Sequence, residues 1–335
     1  MSRRVIPGLE APDPALEREV RARLDEVERA LEEAVRADSE MLAETAQYLL
    51  AAGGKRFRPM LVLLAGYFGD PADPRLIPGA VSIELVHAAT LYHDDVIDEA
   101  DSRHGVPSVN SRWSNTVAIL TGDYLFARAS EISSELGTDV IALLARTIAT
   151  LCDGQIREVE ASGDVDQPEA AYLEVIRRKT GALIATSCRL GGMLSDAPLE
   201  DLGVLEAFGA SLGLAFQLSD DIMDVTSSAA ELGKEPGVDM KEGVYTLPVL
   251  AALRRGARAA ELRALLTGGP PEGERLDRAL EIVRDPATLA VARSAASAEV
   301  DRAQALIGRL PGGPVRSALV QLAEFLAVRC GARQT

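Results

Sequence analysis

Apolar residues recur every three or four positions along most of this chain. Leu16, Val20, Leu24, Val27 and Leu31 form one such stripe, so the charged stretch from Ala15 to about Leu50 is predicted to be helical. Gly53-Gly54 breaks it. A further helix is expected behind the break, with Pro59 in its first turn and the run Met60 to Phe68 following. Asp70-Pro71 and Asp73-Pro74 mark a loop. A long helix is predicted from about Ile77 to Glu99, and others near 115–136, 138–162, 168–195, 199–227, 246–266, 272–283, 286–309 and 313–330. No run of alternating β-branched residues reads as a strand. Residues 1–14, with Pro7, Pro12 and Pro14, are expected to form a flexible arm, and the Gly- and Pro-containing stretch 231–245 a loop. The pattern predicts an all-α protein, one large helical bundle over residues 15–335.

Composition narrows the partners. The 335 residues are 47% apolar, enough for a sizeable core, and only 4% aromatic. Lys and Arg total 35 against 51 Asp and Glu, a net charge of −16 that argues against nucleic acid as a partner. Cys152, Cys188 and Cys330 are scattered, with no Cys-x-x-Cys, which points to reduced thiols and a cytoplasmic protein. The N-terminus lacks a signal-peptide pattern, and no unbroken apolar run reaches about 18 residues, so no transmembrane segment is expected.

Scarce residue types are more telling. Lys55, Lys179, Lys234 and Lys241 are the only lysines, and His87, His93 and His104 the only histidines. Where Arg is the default cation, a retained Lys hints at a task for a compact ammonium. All three histidines surround a cluster of aspartates.

That cluster is Asp-Asp-x-x-Asp, and it occurs twice. Asp94, Asp95 and Asp98 form the first copy; Asp220, Asp221 and Asp224 form the second, in Phe-Gln-Leu-Ser-Asp-Asp-Ile-Met-Asp. On a helix the three carboxylates share a face and repel one another unless a cation screens them. His87 lies on the same face as the first copy, about 10 Å along the axis; Gln217 shares the face of the second. A single copy also fits a solvated acidic helix face. Two copies read as two halves of one metal site. Carboxylates without Cys or paired His select hard cations, and Mg2+ binds through one or two carboxylates plus substrate phosphates. A diphosphate fits such a site. Gly53-Gly54-Lys55-Arg56-Phe57-Arg58-Pro59 adds a glycine turn, three cations and a helix start, a ready anion site. Arg103-His104-Gly105 and Lys179-Thr180-Gly181 add further basic points.

These motifs, in this order, together with Gly-Lys-x-x-Gly-x-Asp from Gly233, resemble the trans-isoprenyl diphosphate synthases (polyprenyl synthetases) from about residue 50 to residue 250. The resemblance implies an all-α bundle around a deep central cavity, three Mg2+ per active site and a homodimer. By the same resemblance Lys55, Arg58 and His87 hold isopentenyl diphosphate. Asp94, Asp98 and Asp220 bind Mg2+ on the allylic diphosphate, and Asp95, Asp221 and Asp224 complete the motifs. Arg103, Lys179 and Lys234 contact the allylic diphosphate, while Thr180 and Gln217 face the nascent allylic cation. The implied reaction is ionisation, condensation and elimination.

The chain departs from the family pattern where His104 replaces a usual Arg and Val244 a frequent Lys, with Lys241 three residues earlier as a substitute. If His104 titrates, isopentenyl diphosphate binding weakens between about pH 6 and 8. In the family a bulky aromatic at Ala89 or Thr90 closes the floor beneath the growing product. Both are small here, so an all-trans product longer than farnesyl is expected, of about six to ten isoprene units. The alternatives are a geranylgeranyl or farnesylgeranyl diphosphate synthase closed by another helix, a class I terpene cyclase, and a non-catalytic subunit of a heteromeric synthase.

Overall fold

The computed structural model describes residues 13–54, 56–103, 105–227 and 235–333, so Lys55, His104 and Lys234 lie outside the described residues. The chain is all-α, as its periodicity predicts, and groups into two compact units. The first takes the described residues up to Ile148, Leu183–Gly209 and Ile307–Leu319; the second takes those of Ala149–Ala182, Ala210–Leu306 and from Val320 onward.

In the first unit, α1 (Pro14–Ala34) starts where Pro14 suits the first helical position and the Asp13 side chain accepts from Ala15 N–H at 2.8 Å. The predicted stripe Leu16, Val20, Leu24, Val27 and Leu31 is buried. The helix expected to continue to Leu50 is in fact two. Ser39 opens α2 (Glu40–Ala52) by accepting from Leu42 N–H, its side chain taking a backbone donor that a continuous helix would use. Next comes α3 (Phe57–Gly66), then α4 (Leu76–Ile97), which packs against α1, α3 and α6 (Asn115–Leu136). α4 is buried around most of its circumference, so no single apolar stripe marks it. It ends short of the expected Glu99, which takes a left-handed φ of 50°. Close approach of α6 needs Gly122: a Cβ there would lie 2.3 Å from His93 Nε2.

One small sheet was not predicted. β1 (Ser102–Arg103) pairs antiparallel with β2 (Val106–Pro107), too short to show an alternating pattern. A four-residue helix, α5 (Val109–Arg112), follows it.

α7 (Thr138–Ala161) contributes its first turns to the first unit and the rest to the second. The helix expected over 168–195 carries an interruption. Residues of α8 (Glu169–Ile176) lead into a five-residue π-helical turn, Arg177–Gly181, before α9 (Ala182–Leu194). α10 (Leu199–Thr226) is divided likewise between the units. By length and composition it alone, among the described residues, could cross a membrane, yet 67% of its apolar window is buried inside the protein. The expected 246–266 helix breaks at Gly256 into Leu247–Arg255 and Ala259–Leu266. The loop over 231–245 holds one short helix, Val238–Lys241, within its described part. Helices Glu274–Val283, Pro286–Ile307 and Pro314–Arg329 complete the chain. Tyr172, Leu218, Ile222, Leu250 and Val283 share the second unit's core. The three cysteines are free; Cys152 is exposed, and burial pushes the Cys188 thiol up to about 12.

Candidate active site

The two aspartate motifs belong to different units. In the first, α4 carries His87, Ala89, Thr90, Asp94 and Asp95, with Asp98 at its C-terminal cap. Asp95 is fully buried, whereas Asp94 and Asp98 are partly exposed. The β1–β2 ribbon turns the chain back so that Arg103 Nε donates to Asp95 Oδ1 at 2.7 Å. Asp95 Oδ2 is buried and meets no donor among the described residues. Burial raises the Asp95 carboxyl against the pull of Arg103, and the Asp98 charge adds to the rise. Of the two positions expected to govern product length, Ala89 is fully buried; Thr90 is partly exposed and its hydroxyl donates to the His87 carbonyl at 2.8 Å.

The glycine turn before α3 is held by a buried guanidinium. Arg56, at a left-handed φ of 45°, donates to Glu28 on α1 (2.7 Å), to Glu84 on α4 (2.9 Å) and to the Leu50 carbonyl on α2 (2.8 Å). Burial lowers the Arg56 guanidinium, but Glu28 and Glu84 outweigh it and raise it. Burial raises the Glu84 carboxyl against the pull of Arg56 and Arg58. Arg56 thus ties the turn preceding α3, the helix that carries Arg58, to the helix that carries His87.

In the second unit, α10 presents Gln217, Asp220, Asp221 and Asp224. Gln217 Nε2 donates to Asp221 Oδ1 at 2.8 Å, the Tyr172 hydroxyl donates to Asp221 Oδ2, and Thr180 Oγ1 donates to Gln217 Oε1 at 2.8 Å. Burial pushes the Asp221 carboxyl up to about 7; the bonds from Tyr172 and Gln217 oppose it, and the Asp220 and Asp224 charges reinforce it. Asp220 Oδ1 lies 2.7 Å from Arg329 Nη1. The π turn, a distortion found mostly at functional sites, displays Lys179 and Thr180, and Lys179 pairs with Glu158. Gly154 on α7 makes room for it: a Cβ there would lie 2.7 Å from the Lys179 backbone nitrogen. Lys241 lies 3.5 Å from Glu235.

The expected site residues therefore form two local groups, with direct contacts between Asp95 and Arg103 and along Thr180, Gln217 and Asp221. Five participants were not anticipated: Glu28, Glu84, Glu158, Tyr172 and Arg329. A polar Glu84 within an apolar run was the one available signal. Tyr172 and Arg329 sit in segments without motif character and meet the second motif only through folding.

The donor set fits a hard divalent cation. It is all oxygen, and Asp95 Oδ2 meets no donor among the described residues. Among the described residues no three Asp, Glu, His or Cys side chains converge as a closed cage. Mg2+ suits such oxygen donors, binding through one or two carboxylates with waters and substrate phosphates completing its shell.

A solved structure with the same fold is the polyprenyl synthase from Caulobacter crescentus CB15 complexed with calcium and isoprenyl diphosphate. It matches with a TM-score of 0.87 and 32% identity over 95% of this chain and 97% of that one. Fold and chemistry together define an all-α isoprenoid synthase, a prenyltransferase. The chain belongs to the polyprenyl synthetase family, whose model matches residues 39–283. It is 40% identical to nonaprenyl diphosphate synthase of Mycobacterium tuberculosis over 98% of both chains. It is 42% identical to heptaprenyl diphosphate synthase component 2 of Geobacillus stearothermophilus over 90% of this chain and 94% of that one.

Proposed function

We propose that this prenyltransferase condenses isopentenyl diphosphate with an allylic diphosphate to give an all-trans polyprenyl diphosphate longer than farnesyl. The observation that carries this reading is that both Asp-Asp-x-x-Asp motifs are intact in a chain similar over 98% of its length to a nonaprenyl diphosphate synthase and over 90% to a heptaprenyl diphosphate synthase component.

Asp94, Asp98 and Asp220 would hold Mg2+, three ions per site, with Asp95, Asp221 and Asp224 completing the motifs. Bound Mg2+ supplies charge neutralisation for the departing diphosphate. Arg103, Lys179 and Lys234 bind the allylic diphosphate. Lys55, Arg58, His87 and His104 hold isopentenyl diphosphate against the allylic carbon. The allylic C–O bond breaks, its electron pair leaving with the diphosphate. Thr180 and Gln217 present oxygen to the allylic carbon as positive charge develops there. The isopentenyl double bond then supplies the pair for the new C–C bond, and loss of a proton to the departed diphosphate restores a double bond. The enzyme acts as a cytoplasmic homodimer.

Purified chain with Mg2+, farnesyl diphosphate and isopentenyl diphosphate tests the reading. The expected product is a polyprenyl diphosphate of about six to ten units. A twenty- or twenty-five-carbon diphosphate would mark a shorter-product synthase, and a hydrocarbon would mark a cyclase. Turnover only after addition of a second protein would mark a subunit.

A further inference from the structure

The hydrogen bonds around Asp221 have a single direction. Tyr172 is 3% exposed, and its hydroxyl donates to Asp221 Oδ2. The other oxygen of that carboxylate accepts from Gln217 Nε2 at 2.8 Å. Both oxygens of that carboxyl group are therefore engaged as acceptors, one from a phenol and one from an amide. With its NH2 turned to Asp221, the Gln217 amide has its oxygen turned to Thr180, which donates to it at 2.8 Å. A hydroxyl has one proton, so Thr180 is left with only lone pairs to offer.

The opposite polarity is available to the same atoms. If Asp221 swung away, the Gln217 amide could flip and donate to Thr180. Thr180 would then turn its own proton outward, placing the positive end of the O–H dipole toward a substrate. Tyr172 is bulky, buried and rooted in α8, next in chain order to the π turn that carries Thr180. It holds one carboxylate oxygen while Gln217 holds the other.

We propose that Tyr172 is a positioning residue for prenyl transfer: by holding Asp221 it fixes the amide sense of Gln217 and turns the lone pairs of Thr180 toward the developing allylic cation. The inference rests on the function proposed above, in which Thr180 and Gln217 face that cation. Oriented dipoles in a dry site stabilise charge without reorganising at the moment of reaction.

The test is a double-mutant cycle on single-turnover rates with Mg2+, farnesyl diphosphate and isopentenyl diphosphate. Tyr172→Phe keeps the ring and removes the donor. It should lower the rate about tenfold, leaving the KM for isopentenyl diphosphate within about twofold of wild type. In a Thr180→Val background, where no hydroxyl remains to orient, Tyr172→Phe should have little further effect. An unchanged rate in Tyr172→Phe, or the same fold-loss in both backgrounds, overturns the proposal for Tyr172 alone. A wild-type chain that makes no prenyl diphosphate overturns it together with the proposed function.

Discussion

Arg329 Nη1 lies 2.7 Å from Asp220 Oδ1, so a residue of the last helix neutralises the first carboxylate of the second motif. Both side chains are partly exposed, which limits the strength of the pair. A divalent cation using the same oxygen competes with the guanidinium. Arg329→Gln should therefore strengthen Mg2+ binding in a calorimetric titration with inorganic diphosphate by about two- to fivefold. An unchanged titration would mean that Asp220 can serve both partners at once.

The motif carboxylates are predicted to serve turnover rather than folding. Asp94 is partly exposed near the end of α4, and Asp220 is partly exposed on α10. Asp94→Ala and Asp220→Ala should each lower kcat by about 10³-fold or more while shifting the thermal midpoint little. Near wild-type rates in both variants would remove the cation clamp from the mechanism.

Gly154 tests the π turn. Alanine at a helix interior ordinarily stabilises by about 1 kcal/mol relative to glycine. Here its methyl would meet the Lys179 backbone nitrogen at 2.7 Å and Arg178 Cβ at 2.9 Å. Gly154→Ala should displace the turn and lower kcat by about ten- to a hundredfold. Steady-state kinetics beside a melting curve would separate this from general unfolding.

Arg56 joins three helices of the first unit through its buried guanidinium, which meets the buried Glu84 carboxyl. Arg56→Met would leave Glu84 buried without that partner, at a cost of about 3–5 kcal/mol in urea denaturation near neutral pH. Adding Glu84→Gln should recover part of the loss. The pH dependence has a definite sign. Burial raises the Glu84 carboxyl above its ordinary 4.5, so the cost is full above the raised value and shrinks as pH falls through it. The deficit of Arg56→Met relative to wild type should thus be smaller at about pH 5.5 than at about pH 7.5.

Ala89 is fully buried on α4, five positions before Asp94. A phenyl ring there has to enter whatever space the growing chain uses on that side of the helix. Ala89→Phe should shorten the dominant product, read by chromatography of the dephosphorylated prenols. An unaltered product length would show that another residue sets it.

Much of this protein was legible before folding. Apolar stripes at a 3.6-residue period located the amphipathic helices, unbroken apolar runs located the buried ones such as α4, and glycine and proline marked most breaks. Local chemistry was legible for the same reason: residues one turn apart share a helix face, so the motifs displayed their carboxylates in the text. Misreadings fell where periodicity carries no information. The Ser39 cap divides an apparently continuous helix, a two-residue ribbon is too short to alternate, and a π turn adds one residue per turn without changing residue type.

The sequence by itself determined the all-α class, the two acidic helix faces, the basic glycine turn and the kind of cation and anion they suit. These follow from spacing within single elements. Only the tertiary structure decided which groups balance those charges: Arg329 on Asp220, Tyr172 on Asp221, Glu158 on Lys179 and Glu84 on Arg56. Electrostatic and hydrogen-bond partners are chosen by distance in space. A helical repeat records what lies one turn away along the chain and carries no record of what another element brings alongside.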